Sequence, residues 1–508
     1  MKWINILFFT FLCINLTVAQ DSLYVHKAGS ILYKSDVISI DSITFAQPAA
    51  DVTSVSVNKA GSVVYKNETT GIDSITFIKP TPVNPYSYIF DIKSLPEITL
   101  EVTTAEWNNL LSYFDQNPDN QEYIKSNYTF VKDGKTISAP GSGIRIRGNT
   151  SRRRPEGSTG QVHTAINTPW HHASFALNFK KYVKNQTMSG FEKLNLKWFK
   201  DDATYVREVY CYDLFEKFGV WTAPQSSYCR LSIKITEDPT TTYYGVYQMV
   251  EAVDKQFLQN RPGKFADAEG NLWKSSWGAD LKNADTTRMG IENITLTSTY
   301  TPVYDLKTNN SALTAAKIQL ANFITTFNSK TGDDFKTWVS SKIDIPLFLK
   351  TYAVNVMCGM WDDYWCNKNN YYFYFDSAGK FYFIPYDYDN TLGTSAIVTD
   401  SGKQDLLNWG DNTNNPLVKK IITIPEYQAL YVSYIKDLCN SNNDLFYIDK
   451  SILRITKWQN MIKNYVNNDT KEDTQILDKP ASWGNCSFYR LLDSTINYFK
   501  IRASNIPN

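Results

Sequence analysis

Trp361-Asp362-Asp363-Tyr364-Trp365-Cys366-Asn367-Lys368-Asn369-Asn370 runs into the aromatic stretch 371–375, the turn Asp376-Ser377-Ala378-Gly379-Lys380, a second aromatic stretch 381–385, and Tyr386-Asp387-Tyr388-Asp389. Two aromatic-rich runs around a Ser- and Gly-bearing turn predict an antiparallel hairpin. Pairing folds the ends together. Asn370, just before the first strand, then faces the neighbourhood of Asp387, just after the second, at cross-strand distances of about 5 Å. Asp389 shares a face with Asp387 if the chain stays extended. Two carboxylates and an amide oxygen make a hard, oxygen-rich pocket of the kind Mg²⁺ takes when phosphate oxygens complete its shell. Asp362, on the connection into the hairpin, is placed to orient a hydroxyl beside that metal, which points to phosphoryl transfer. Two other readings stand beside this one. Asp362, Asp363, Asp387 and Asp389 could cap helices and turns, or Asp387 and Asp389 could form a calcium-stabilised structural site. The aromatic runs themselves read as core rather than as a platform for a base or sugar.

Upstream of this stretch the pattern is mixed. Residues 98–102 read as a strand, 104–115 as a helix opened by Thr103 or Thr104, and 143–148 as a strand alternating Ile and Arg. Residues 174–179 alternate as well, 203–218 repeat apolar residues at helical spacing before Gly219, and 243–250 form another strand. Beyond Asn414 the spacing is mostly helical, over 417–423, 426–438, 448–466 and 486–501. This predicts an α+β chain, with a strand-rich first half and a helical C-terminal half, occupying residues 88–508.

An internal repeat precedes it. Val25-His26-Lys27-Ala28-Gly29-Ser30 with Ile40-Asp41-Ser42-Ile43-Thr44-Phe45 recurs 32 residues later as Val57-Asn58-Lys59-Ala60-Gly61-Ser62 with Ile72-Asp73-Ser74-Ile75-Thr76-Phe77. Each copy reads as a short hairpin plus a third strand, so residues 20–79 are expected to form a small β repeat module, a spacer or docking element for a surface glycan or protein. Pro80, Pro82 and Pro85 mark a stiff linker over 80–87. Residues 1–19 read as a signal peptide: Met1-Lys2 is positive, 4–16 are apolar apart from Asn5 and Asn15, and Thr17-Val18-Ala19 offers a cleavage site. The expected location is therefore outside the cytoplasm: periplasm, cell surface or extracellular space. Leu12 before Cys13 is a poor fit for lipid modification.

Composition narrows the classes further. The chain has 508 residues, 43% hydrophobic and 14% aromatic, which is too apolar for disorder. Its 52 Lys and Arg nearly cancel its 51 Asp and Glu, leaving no polybasic footprint for nucleic acid. No second long apolar run exists, so no integral membrane segment is expected in the mature chain. Removal of residues 1–19 leaves six cysteines, enough for up to three bridges in an exported protein but with no zinc spacing. His171-His172 reads as a solvated loop pair.

Five ordered segments resemble the CotH family of spore-coat-type kinases: Ile144-Arg145-Ile146-Arg147-Gly148-Asn149-Thr150-Ser151, Tyr244-Gly245-Val246-Tyr247 with Glu251, Asn271-Leu272-Trp273-Lys274, Asn369-Asn370-Tyr371-Tyr372, and Ile384-Pro385-Tyr386-Asp387-Tyr388-Asp389. The resemblance covers residues 88–508. It implies an atypical protein-kinase-like fold, ATP and a divalent metal as cofactors, and Ser or Thr of a protein as acceptor. It implies Asp362 as catalytic aspartate with Asp363 as the register alternative, Asp387 as metal ligand with Asn370 helping, and phosphate contact or ion pairing for Arg147, Asn149 and Glu251. The sequence departs from the family where a phosphate-binding lysine is expected. His171-His172-Ala173-Ser174-Phe175 stands there, lysines come only at Lys180 and Lys181, and Lys274 is a further candidate, able to pair with Glu251. There is no Gly-x-Gly-x-x-Gly loop. A secreted, non-catalytic binding or adhesion protein on a kinase-like scaffold is the alternative.

Overall fold

The computed structural model describes residues 22–76 apart from 29, 37–39, 41, 50–51, 61, 69, 71 and 73, and residues 85–506 apart from 165–168, 395–401, 411–414, 469–475, 477, 481–486 and 494–496. The expected signal peptide lies outside the described residues. The chain divides into two compact units, Met1–Ser87 and Tyr88–Asn508.

In the first unit each repeat supplies one hairpin, Ser22–Lys27 with Ser30–Asp36 and Val52–Lys59 with Ser62–Glu68. Ala28 and Ala60 take left-handed φ values of 48° and 50° at the two tips. The third strands are exchanged: Ser74–Thr76 of the second copy pairs with the first hairpin, and Ser42–Ala49 of the first copy pairs with the second. Tyr33 and Tyr65, equivalent in the two copies, stack at 4.7 Å between ring centroids. Two strands alone bury too little to be stable, which is a physical reason for the exchange. Of the expected linker, residues 80–84 lie outside the described residues, whereas Pro85 opens a helix, Pro85–Phe90. Proline's fixed φ suits a first helical turn.

The second unit begins with a closed seven-stranded barrel. Its spatial order is Ser174–Asn178, Lys193–Lys197, Thr242–Glu251, Ser226–Ile235, Glu97–Val102, Ile124–Lys132, Lys135–Arg147 and back to Ser174–Asn178. Every pairing is antiparallel except Ser226–Ile235 with Glu97–Val102. Closure removes the exposed edges that an open sheet would carry. Helix Thr104–Gln116 is opened as expected by Thr103, whose side chain accepts from Glu106 N.

The helix expected over 203–218 starts later, at Arg207–Lys217. Asp202 is the reason. Its buried carboxylate accepts from Val206 N at 3.0 Å, Arg207 N at 2.9 Å and Thr204 N at 3.0 Å, so residues 202–206 form a cap instead of a turn of helix. The expected hairpin is present as Tyr371–Phe375 with Phe381–Pro385, turning at Gly379 with φ 76°. It lies at one edge of a five-stranded sheet, next to Asn271–Ser275. Both hairpin strands are buried throughout, which explains aromatic runs without polar alternation.

The longer helices Leu313–Ser329, Gly332–Lys342 and Ile345–Cys358 precede Asn414 without having been expected. The last is buried nearly all round and ends at Gly359, φ 66°, which releases the chain into the loop carrying Asp362. Late helices form at Pro416–Ile422, Pro425–Leu438 and Ile448–Val466. The helix expected over 486–501 does not form as one element. The described residues of that span form one 3₁₀ turn, Arg490–Leu492, and the start of a helix, Tyr498–Ala503, capped by the Asn497 side chain. No helix among the described residues is long and apolar enough to cross a membrane. None of the expected bridges joins any two of the five described cysteines, Cys211, Cys229, Cys358, Cys366 and Cys439.

Candidate active site

The barrel strand Leu194-Asn195-Leu196-Lys197 alternates across the sheet and ends with Lys197 directed at helix Arg207–Lys217. Its ammonium reaches Glu208 Oε2 at 2.6 Å and Asp389 Oδ2 at 3.1 Å, and also bonds Asp387 Oδ1. Glu208 is in the first turn of its helix, held there by the Asp202 cap, and its other oxygen accepts from Tyr388 N at 3.2 Å. Asp387 N in turn donates to Tyr212 Oη at 3.0 Å, one turn along the same helix. The helix and the segment after the hairpin are thus bonded to each other around a single lysine.

Asp387 has φ 65°, so the chain does not stay extended there. Its carboxylate and that of Asp389 converge on Lys197 all the same. Between them Tyr388 points into the core, where its hydroxyl donates to Asn355 Oδ1 at 2.9 Å.

Charge balance in the cluster is uneven: three carboxylates share one ammonium. Burial opposes the charge on Lys197, but Asp387, Asp389 and Glu208 outweigh it and hold the ammonium well above its usual range. Burial raises Asp387 too, and Lys197, Arg147 and Lys274 pull it below the ordinary carboxylate value. Asp389 bears the deficit. Burial pushes it up to about 8, against Lys197 and with Asp387 and Glu208 adding to the rise. Oxygens of Glu208, Asp387 and Asp389 lie within 4.8 Å of one another. Hard oxygen donors with excess negative charge fit a divalent cation such as Mg²⁺.

Asp362 is half-buried at the open end of the hairpin, where Tyr371 pairs with Pro385 just before Asp387. Its carboxylate accepts from Asn367 Nδ2 at 2.6 Å and Asn370 Nδ2 at 3.2 Å, while its carbonyl accepts a second bond from Asn370 at 2.9 Å. Burial, followed by the charge of Asp387 set against these amides, leaves its pKa raised. Asn370 therefore turns its amide nitrogen toward Asp362. Asp363 is 1% exposed and accepts from Trp365 N at 3.0 Å, folding its own loop.

The remaining expected residues divide. Arg147, at the end of its barrel strand, donates to Tyr386 Oη at 3.0 Å and feels the charges of Asp387 and Glu208. Lys274 lies in the strand beside the hairpin; burial first, and then Lys307, lower its pKa, and its charge acts on Asp387. These two form a cationic wall toward the acidic cluster. Asn149 is exposed on the turn that follows. Lys180 is exposed and bonds Glu192. Glu251 does not pair with Lys274: its carboxylate holds Arg261 through bonds of 3.0 and 2.8 Å and accepts from Gln225 N. Buried in the barrel wall, it takes the nearest cation its loop supplies. His172 is not solvated. It stacks on Trp198 at 4.6 Å and bonds Tyr244 O at 2.8 Å, and burial pushes its pKa down to about 4.

Lys197 and Glu208 were not singled out from the sequence, and both carry signals that could have been read. Lys197 terminates an alternating strand, and Glu208 opens the next helix.

Residues 144–505 match the family described as CotH kinase protein, and the chain belongs to it. A comparison with curated proteins finds no match.

Proposed function

We propose that this member of the CotH family is an exported, Mg²⁺-dependent kinase on an atypical protein-kinase-like fold, moving the γ-phosphate of ATP to a Ser or Thr hydroxyl of a protein. The observation that carries this reading is the Lys197–Glu208 pair set beside Asp387 and Asp389. A lysine fixed by a helix glutamate is suited to neutralise phosphate oxygens, because the pairing fixes the ammonium's position before substrate arrives.

Asp362 would accept the hydrogen bond of the acceptor hydroxyl and orient its oxygen, with Asn367 and Asn370 fixing the rotamer of its carboxylate. Asp387 and Asp389, with Glu208 beside them, would hold the metal, which when bound neutralises charge on the phosphates. Arg147 and Lys274 would add positive potential on the hairpin side. With Lys197 in the phosphate role, the missing lysine no longer favours a non-catalytic scaffold over the enzyme.

The test is incubation of the purified protein with Mg²⁺ and labelled ATP, alone and with Ser-rich protein acceptors, beside Lys197→Met and Asp387→Ala. Label that depends on both residues is expected. Label that is absent, or equal in the variants, removes the kinase reading.

A further inference from the structure

Trp277 is 73% exposed, more than any other large hydrophobic side chain among the described residues. Tryptophan is enriched among the side chains that anchor contact surfaces. Trp277 is also anchored. The indole N–H donates to Asn367 Oδ1 at 3.3 Å, and the amide nitrogen of the same Asn367 donates to Asp362 Oδ1 at 2.6 Å. The loop beneath the ring is held at three points: Ala279 N donates to Lys368 O at 3.0 Å, Tyr371 Oη donates to Ala279 O at 2.7 Å, and the Arg288 guanidinium bonds Gly278 O. Gly278, φ 89°, makes the turn. The ring thus has a bare face, one tethered edge and a braced backbone, so a partner meeting it pays little ordering entropy.

Position identifies the partner. Trp277 reaches the site through Asp362, the group that takes the acceptor hydroxyl, and not through the Lys197 cluster that faces phosphate. We infer that Trp277 determines acceptor specificity: its exposed face stacks on a planar side chain, aromatic or arginine, placed near the acceptor Ser or Thr in an extended segment of the protein substrate. This rests on the kinase reading above. Stacking and cation–π contact are both available to such a ring.

The experiment is phosphorylation of a positional peptide library, Ser or Thr at the centre and each natural residue in turn at the flanking positions, by the full chain with Mg²⁺ and ATP. Wild type, Trp277→Ala and Trp277→Phe are compared. The expected result is that the wild type selects planar side chains at one flanking position. Trp277→Ala loses that selection by about three- to tenfold while KM for ATP is unchanged, and Trp277→Phe, which keeps a ring face, retains most of it. A library profile identical in Trp277→Ala overturns the inference. So does a fall in kcat with unchanged selectivity in both variants, which would assign Trp277 only to holding Asn367. A wild type that labels nothing under any condition refutes the kinase reading, and this inference with it.

Discussion

Replacing Lys197 with Met keeps the length of the side chain and removes its charge. Glu208, buried on its helix, and Asp387, half-buried at the hairpin exit, then lose their shared counter-ion. At a separation near 3 Å each ion pair corresponds to roughly 5 kcal/mol at an effective dielectric of about 20, most of it offset by the cost of burying the charges. The net cost of removing one partner from a buried cluster is about 3–5 kcal/mol. Asp389 adds little, because with a pKa of about 8 it is largely protonated at neutral pH. Urea unfolding at pH 7 without divalent metal should show this loss. Glu208→Gln in the same background should recover part of it, giving a coupling of about 1–3 kcal/mol in the double-mutant cycle. Added Mg²⁺ should stabilise the variant more than the wild type, since its cage is more negative. Phosphoryl transfer should fall by about 10²–10³-fold. A Lys197→Met protein within 1 kcal/mol of wild type, with no coupling to Glu208, would refute the electrostatic account of this cluster.

Asp362→Asn should fold normally and lower kcat by about 10²–10⁴-fold with little change in KM for ATP, whereas Asp363→Asn should act on stability; parallel kinetics and melting curves separate the two. Glu251→Gln should cost about 1.5–3 kcal/mol in urea unfolding, because Arg261 loses a charged partner, and should leave KM for ATP unaltered. His163 lies between Glu156 at 2.9 Å and Asp238 at 3.0 Å; burial opposes its charge, but the two carboxylates prevail and raise its pKa. Its contribution is full below the unfolded value of about 6.5 and is lost as pH rises through the folded value, so stability should decline across that window in the wild type and be flatter in His163→Gln.

The hairpin at residues 371–385 was legible because strand pairing is encoded locally, in two aromatic runs and a glycine that accepts positive φ. Helix ends with side-chain caps, such as Thr103 before Thr104–Gln116, were legible for the same reason. The start of Arg207–Lys217 was not, because the apolar spacing continues through residues that Asp202 gathers into a cap. The tail was also misread: residues around Arg490 carry helical spacing, yet among the described residues there only one 3₁₀ turn forms.

The sequence by itself determined the family, the α+β composition of the main unit, the repeat, and the presence of Asp362, Asp387 and Asp389 about one hairpin. Only tertiary structure decided which cations and amides those carboxylates meet. Lys197 is separated from Asp387 by 190 positions, and barrel closure, not spacing, sets their approach. Local periodicity reports the face a residue occupies. It carries no information on what a distant element brings to that face, which is why the meeting of Lys197 with Asp387, and of Arg147 with Tyr386, could not be read from it.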